Sequence, residues 1–379
     1  MMNTLQAFSP DWVSPPGETI ADLLEERDWT QAQLAERLGY TTKHISQLIN
    51  GKAPITEDTA LKLERVLGSN AVFWLNREAQ YRAEVAKIEE QSLLLSWVDW
   101  LDQLPVKDLM DQGVIPKCRL DAKHKPTVVK DLLTFFGVAS PDDWQKHYVG
   151  MQALFRKTRH DQCDVGAISA WLRQGEIAAE ELQIPKYQKA KFEKAVQELR
   201  KLTVLEPVEF LPTIKQLCWS AGVVLVFVPS VPRARTSGVA RWLNLHKPLI
   251  QLSFYGKTND KFWFNFFHEV AHILLHADQK KDIFLDDWEQ GEKLESQQER
   301  EANQWAKTFL IPSEYDAELL DLKTKDAVTK FAAMLGIHPA IVVGRLQHDK
   351  RISMTWMNEF KQKIEIPTEV DRFGDRQRS

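Results

Sequence analysis

The strongest constraint on this chain is the segment Lys261–His276, where two histidines and a glutamate stand among residues that are apolar on nearly every side. Phe266, Phe267, Ile273, Leu274 and Leu275 surround His268-Glu269-Val270-Ala271-His272. So apolar a run predicts a buried helix, and two imidazoles and a carboxylate buried there need a strong compensating partner. On a helix, positions four apart lie about 40° from each other, so both imidazoles project to one side and can share a tetrahedral Zn²⁺. Glu269 flanks the same face, where it can take a proton from the water on such a metal. Satisfied core histidines would account for the pair without a metal, but a third ligand is at hand. Glu299 stands 27 positions after His272 and opens Glu-Arg-Glu-Ala-Asn, at the start of a second helix with Ala302, Trp305, Ala306 and Phe309 inward. Two His and one carboxylate form a catalytic zinc set that leaves a fourth position for water. Glu299 and Glu301 sit roughly 160° apart around a helix axis, so only one can face the metal. Glu299 lies nearer the apolar face and is preferred, with Glu301 as the alternative. Asn303, one turn after Glu299, can orient a ligand from behind. His276 continues the row four positions after His272, but the Gly turn of three-histidine zinc sites is missing, so a structural or substrate-side role suits it better.

Short β-branched runs precede that helix. Ala221–Phe227 reads as a buried strand, and Val239–Asn244 and Pro248–Phe254 read as two more, which makes a small sheet. His246 and Tyr255 in this stretch are candidate oxyanion donors. Beyond Pro312, Ala327–Gln347 forms a Gly-punctuated helix pair, too apolar to read bases and assigned to the same fold. The last dozen residues are charged and expected to fray.

The other end of the chain is punctuated differently. Residues 17–90 read as consecutive short helices. Ile20, Leu23 and Leu24 stripe the first, and Thr30-Gln31-Ala32-Gln33 has capping-box form before the second. Gly39 stops that helix, and the next begins at Thr41 or Thr42, with Ile45, Leu48 and Ile49 inward. Thr56 caps a fourth helix that Gly68 closes. Two helices joined by so short a turn around a Gly make a helix-turn-helix, whose second member fits the DNA major groove. Its outward residues are Thr42, Lys43, His44, Ser46 and Gln47; Gln can pair with adenine and Lys can donate to guanine. Gln31 is placed to donate to phosphate. Residues 17–82 carry eight Lys/Arg against ten Asp/Glu, which by itself suits a protein-binding bundle. The stretch 40–54, however, holds Lys43 and Lys52 with no acid, so the contact edge is positive.

Two resemblances follow from these residues. Pro16-Gly17-Glu18, Leu34-Ala35, Gly39, Ile49-Asn50-Gly51-Lys52, Ile55-Thr56 and Phe73-Trp74 with Tyr81 make the N-terminal run similar to HigA-type antitoxins of the XRE helix-turn-helix family. That resemblance implies a homodimer that binds double-stranded operator DNA and represses its own promoter. Ala221–Pro312, with WFNFFHEVAHILLH and EREANQWAKTFLIP, resembles the ImmA/IrrE family of zinc metallo-endopeptidases, which cut XRE-type repressors. It implies His268, His272 and Glu299 as zinc ligands and Glu269 as general base. Trp305 departs from the family, where Phe is usual.

The rest is bounded by composition. Three cysteines, Cys118, Cys163 and Cys218, are too few and too scattered for a disulfide scaffold or a Cys-only zinc site, and they suit a reducing cytoplasm. No apolar run approaches the ~18 residues of a membrane span, and the N-terminus lacks a secretory signal. With a net charge of −4, any DNA contact must come from a local patch. Between the two modules, Glu84–Val204 is polar and helical in pattern, broken at Pro105, Pro116, Pro126 and Pro141, with Trp97, Trp100, Trp144 and Trp171 expected to pack small cores between them. Lys186–Val204 is an amphipathic helix carrying Phe192, Val196 and Leu199.

The expected architecture is mainly α with a small β-sheet. It comprises an arm (1–16), an all-α helix-turn-helix domain (17–90), a helical middle region (91–205) and an α+β zincin-like domain with C-terminal helices (206–379). The expected function is a cytoplasmic DNA-binding regulator whose Zn²⁺-dependent peptidase domain cleaves a protein partner, a repressor or itself. The competing reading is a non-enzymatic antitoxin or sensor that binds a toxin partner or ligand through the zincin fold; a structural zinc would have no need of Glu269. If the middle region covers the active-site groove, a fragment starting near Pro207 should be the more active.

Overall fold

The computed structural model describes residues 14–148, 164–234, 236–253, 258–276, 283–286 and 296–364. The chain divides into two units, Met1–Val98 and Asp99–Ser379.

In the first unit, helices α1 (Pro16–Glu26), α2 (Gln31–Leu38), α3 (Thr42–Ile49), α4 (Glu57–Leu67) and α5 (Ala71–Ser96) follow their start signals closely. The capping box is complete: Thr30 accepts from the Gln33 amide while the Gln33 side chain accepts from the Thr30 amide at 2.8 Å. Thr41, Thr56 and Asn70 cap the next three helices, each side chain accepting from the amide three positions on. Each satisfies an amide that would otherwise lack an intrahelical partner. Gly39, with φ 69°, makes the left-handed step that turns α2 into α3. Leu34, Leu38, Ile45, Leu48, Leu63 and Trp74 fill the core. A Cβ on Gly17 would strike the backbone of Ile49, so only glycine lets α1 and α3 come this close. Helix α5 runs unbroken through residue 90, because no Gly or Pro interrupts it, and the boundary expected there falls inside a helix.

In the second unit, α6 (Val106–Asp111), α7 (Lys125–Phe136), α8 (Val165–Glu180), α9 (Lys189–Lys201) and α10 (Pro207–Ser220) precede the sheet. The strands β1 (Val224–Phe227), β2 (Gly238–Asn244), β3 (Lys247–Leu252) and β4 (Ile283–Asp286) are ordered β1-β3-β2-β4. β1 runs parallel to β3, with Val224 opposite Leu249, while β2 is antiparallel to both β3 and β4. The three strands read from sequence are present, the first and third slightly shorter than expected and the second one residue longer; β4, four residues long, is too brief to show a period.

Helices cover both faces of the sheet, which explains why β1 is apolar throughout rather than alternating. On one face Val224, Val226, Val239 and Leu249 pack against Ala167, Ile168, Trp171 and Leu172 of α8. On the other, Leu225, Ala240 and Ile250 pack against the core that holds α11 (Asn259–Leu275). Helices α12 (Gln297–Leu310), α13 (Asp316–Leu319), α14 (Lys325–Leu335) and α15 (Pro339–His348) complete the unit.

The middle region is therefore no separate module. Arg241 of β2 is buried and meets Glu176 of α8 at 2.7 Å and the Leu172 carbonyl at 2.7 Å. From α9, Arg200 donates to the carbonyls of Phe309 (3.0 Å), Leu310 (2.9 Å) and Leu335 (2.9 Å), closing the C-termini of α12 and α14. A division at 205/206 passes through one hydrophobic core. A chain starting at Pro207 would expose a whole sheet face, so greater activity in that fragment is not to be expected. The tryptophans correct a second expectation. Trp100 and Trp144 pack together with Phe136 and Tyr148, but Trp171 lies on the sheet, donating to the Val228 carbonyl at 3.2 Å, and Trp97 caps α5.

Among the described residues no single helix is long and apolar enough to cross a membrane; the apolar pair α14–α15 bends by 113° and packs into the core. Residues 1–13 of the expected arm, the last dozen residues expected to fray, and Tyr255 lie outside the described residues.

Candidate functional site

Helix α11 is buried along nearly its whole length, as its sequence requires, and carries His268 and His272, with His276 at its C-cap continuing the row. Helix α12 lies against it with an N-cap from Ser296, whose side chain accepts from the Glu299 amide at 3.2 Å. This pairing brings His268, His272 and Glu299 together, with one ligand atom of each lying within 4.8 Å of the others. The Nε2 atoms of His268 and His272 are 2.9 Å apart. Glu299 approaches them with Oε2 at 3.1 Å from His268 and Oε1 at 3.5 Å from His272. Behind His268, the Asn303 Oδ1 accepts from Nδ1 at 2.9 Å, which leaves the lone pair of His268 on Nε2, facing the cluster.

The charge states suit a cation. Burial pushes the His272 imidazolium down to about 4, so this ring is neutral near pH 7. Burial opposes ionisation of Glu299, but the adjoining His268 and His272 imidazoles outweigh it and hold the carboxyl well below its usual range. A neutral His272 beside His268 and an ionised Glu299 in a dry site offers the donor set of a divalent metal such as zinc.

Glu269 is fully buried on the same helix, and its carboxylate abuts Gly238 at the start of β2. A Cβ at Gly238 would land on Glu269 Oε1, so the glycine is what admits the carboxylate. Sequence reading missed Gly238; the only available signal was a lone Gly at a strand edge. His246 falls in the exposed turn after β2, six strand steps or roughly 20 Å beyond Gly238, too far along the strand to serve as an oxyanion donor there. Glu301 turns to His276 instead of the pair, with 3.0 Å between Oε2 and Nε2. It also lines an open cleft with Leu275, Gln304 and Trp305, and Trp305 stacks on Phe309 at 4.7 Å.

In the first unit, the residues expected to read DNA sit on α2, on α3 and just beyond it. Gln31, Thr42, Lys43, Gln47 and Lys52 are exposed, whereas His44 and Ser46 are half-buried. His44 packs edge-on against Tyr40, 4.7 Å between ring centroids, so less of it is available to a base.

Residues 20–74 match the helix-turn-helix family, and residues 224–347 match the IrrE N-terminal-like domain of peptidase type. Virulence-associated protein I of Dichelobacter nodosus is 32% identical over 79 residues, 21% of this chain and 73% of that protein. The chain belongs to the helix-turn-helix family. Another relative, the uncharacterised helix-turn-helix transcriptional regulator YddM of Escherichia coli strain K12, is 34% identical over 21% of this chain and 85% of its own length. A solved structure from Nostoc punctiforme, provisionally described as an antidote protein of a plasmid maintenance system, is 36% identical over 21% of this chain and 86% of that one, with a TM-score of 0.20. The chain thus joins a helix-turn-helix regulator domain to an IrrE-like, metallopeptidase-type domain. The IrrE-like match begins at Val224, downstream of α8, although α8 covers one face of the sheet that the match contains.

Proposed function

We propose that this protein is a cytoplasmic transcriptional regulator of HigA antitoxin type that binds operator DNA as a homodimer and carries a zinc-dependent endopeptidase domain acting on a protein partner, a repressor or the chain itself. The observation that carries the enzymatic half is the meeting of His268, His272 and Glu299 beside a buried Glu269. These three residues would hold the metal, which when bound supplies Lewis acidity toward a peptide carbonyl and acidifies water. Glu269 would hold and move the proton, as general base and then acid. Its carboxylate lies against Gly238, where a larger residue would displace it. Asn303 would keep His268 in the ligating tautomer. On the DNA side, Lys43 and Gln47 would read bases, Thr42, His44 and Ser46 would add contacts around them, and Gln31 and Lys52 would hold phosphate.

The test is cleavage. Zinc-loaded wild type and Glu269→Gln are incubated with a co-encoded helix-turn-helix repressor or toxin, and with themselves. Cleavage by wild type alone is expected. Equal cleavage by both proteins, or none by either at full metal occupancy, would overturn the enzymatic reading.

A further inference from the structure

His276 lies one turn beyond the histidine pair and is almost fully buried, yet it does not face the cluster. Its Nδ1 is 3.1 Å from Nδ1 of His272, on the side of that ring away from His268. Its Nε2 is 3.0 Å from Glu301 Oε2. An ionised carboxylate can only accept, so the His276 proton sits on Nε2 and points at Glu301. A neutral His276 then has its lone pair on Nδ1, and the only hydrogen bond that fits the 3.1 Å contact is donation from His272 Nδ1–H. That assignment leaves His272 with its lone pair on Nε2, directed at His268 and Glu299. Both His276 nitrogens are thus engaged away from the cluster, which rules it out as a ligand.

We propose that Glu301 and His276 are positioning residues, a two-member relay that fixes the tautomer and ring plane of His272 for a divalent cation. The proposal rests on the zinc reading of His268, His272 and Glu299. The two histidines are held by unlike means. His268 is fixed in one step by an amide, whereas His272 is fixed in two, ending on a carboxylate that is 46% exposed. Without an acceptor at position 276, His272 is free to adopt the other tautomer, which would aim an N–H at the metal.

The experiment uses the full chain, with Zn²⁺ and Co²⁺ as probes. Zn²⁺ affinity is measured by competition with a chromophoric chelator, and ligand geometry by the visible absorption of the Co²⁺ form. His276→Phe keeps a ring but removes the acceptor; it is expected to weaken Zn²⁺ binding about 10- to 100-fold and to shift the Co²⁺ bands. His276→Asn places Oδ1 where Nδ1 stood and is expected to restore most of the affinity. Glu301→Gln keeps an acceptor for Nε2–H and should lose less than Glu301→Ala; this pair carries the test should His276→Phe fail to fold. Wild-type affinity and spectrum in His276→Phe, or in Glu301→Ala, overturn the relay alone, as does an Asn variant no better than Phe. Failure of the wild type to bind Zn²⁺ overturns the zinc reading and the relay with it.

Discussion

Glu299 and Glu301 stand two positions apart on α12 and meet different histidines. Glu299 Oε2 is 3.1 Å from His268 Nε2, while Glu301 Oε2 is 3.0 Å from His276 Nε2. On an isolated helix these side chains leave on nearly opposite sides. Both reach α11 because its histidine row spans eight positions, roughly 12 Å of helix, so α12 can offer its inner face to one end and its flank to the other. Spacing alone, which allows one glutamate at the metal, therefore does not make the second one idle.

Metal binding is the first outcome to check. Purified protein should hold about one Zn²⁺ per chain, since two His and one Glu make a single site. His268→Ala, His272→Ala and Glu299→Ala should each lose most of the metal, measured by elemental analysis after dialysis. Glu269→Gln should keep it. Full zinc occupancy in His272→Ala would refute the assigned ligands.

Acid stability of the metal-free protein gives a second. In the folded state burial pushes His272 down to about 4, below its ordinary 6.5, so between those values the unfolded chain binds more protons. Stability should then rise with pH in that window and be lost as pH falls from 6.5 toward 4, by about 3 kcal/mol in the limit. Glu299, whose carboxyl is also held low, adds to the loss at still lower pH. Urea midpoints at pH 6.5 and 5 for wild type and His272→Phe, both with chelator, would measure it. The wild type should lose more; identical slopes would exclude His272 as the source.

The two ends of the chain were readable from sequence for different reasons. In the first unit every helix carries its own start or stop signal, such as Thr30, Gly39 and Thr56, and local hydrogen bonds then decide the fold. The His268–Glu269–His272 spacing was equally local. What sequence hid were relationships across long separations. The Arg241–Glu176 pair joins positions 65 apart, and Arg200 reaches carbonyls 109, 110 and 135 positions away. Neither arginine has a period or a cap to announce it. For the same reason the middle region read as a connector, although Trp171 and its neighbours complete the sheet's core.

That core supplies a third prediction. Arg241 is 3% exposed, and Glu176 is held ionised against its burial by the Arg241 and Arg173 charges. Removing one partner of such a pair strands the other in a dry site, so Glu176→Ala should cost about 3–5 kcal/mol. A fragment beginning at Pro207 should lose cooperative unfolding altogether, because it lacks α8. Chemical denaturation followed by tryptophan fluorescence tests both. A sharp, wild-type-like transition in the fragment would show that α8 is dispensable.

The last prediction concerns the recognition helix. Lys43 and Gln47 are both exposed and lie one turn apart on α3, so they can reach successive base edges from the same face. His44 lies between them in sequence but spends part of its surface on Tyr40. If α3 enters the major groove, Lys43→Ala with Gln47→Ala should weaken specific binding by about 2–6 kcal/mol, since each good base contact is worth about 1–3. His44→Ala should cost less. Lys52→Ala, losing a phosphate contact, should weaken specific and non-specific DNA alike and reduce the salt dependence. The measurement is a salt-controlled titration on an inverted repeat from the protein's own promoter, with half-sites about one helical turn apart. Should the double variant bind that repeat as tightly as wild type, α3 is not the reading helix, and the positive edge around Lys43 and Lys52 serves some other contact.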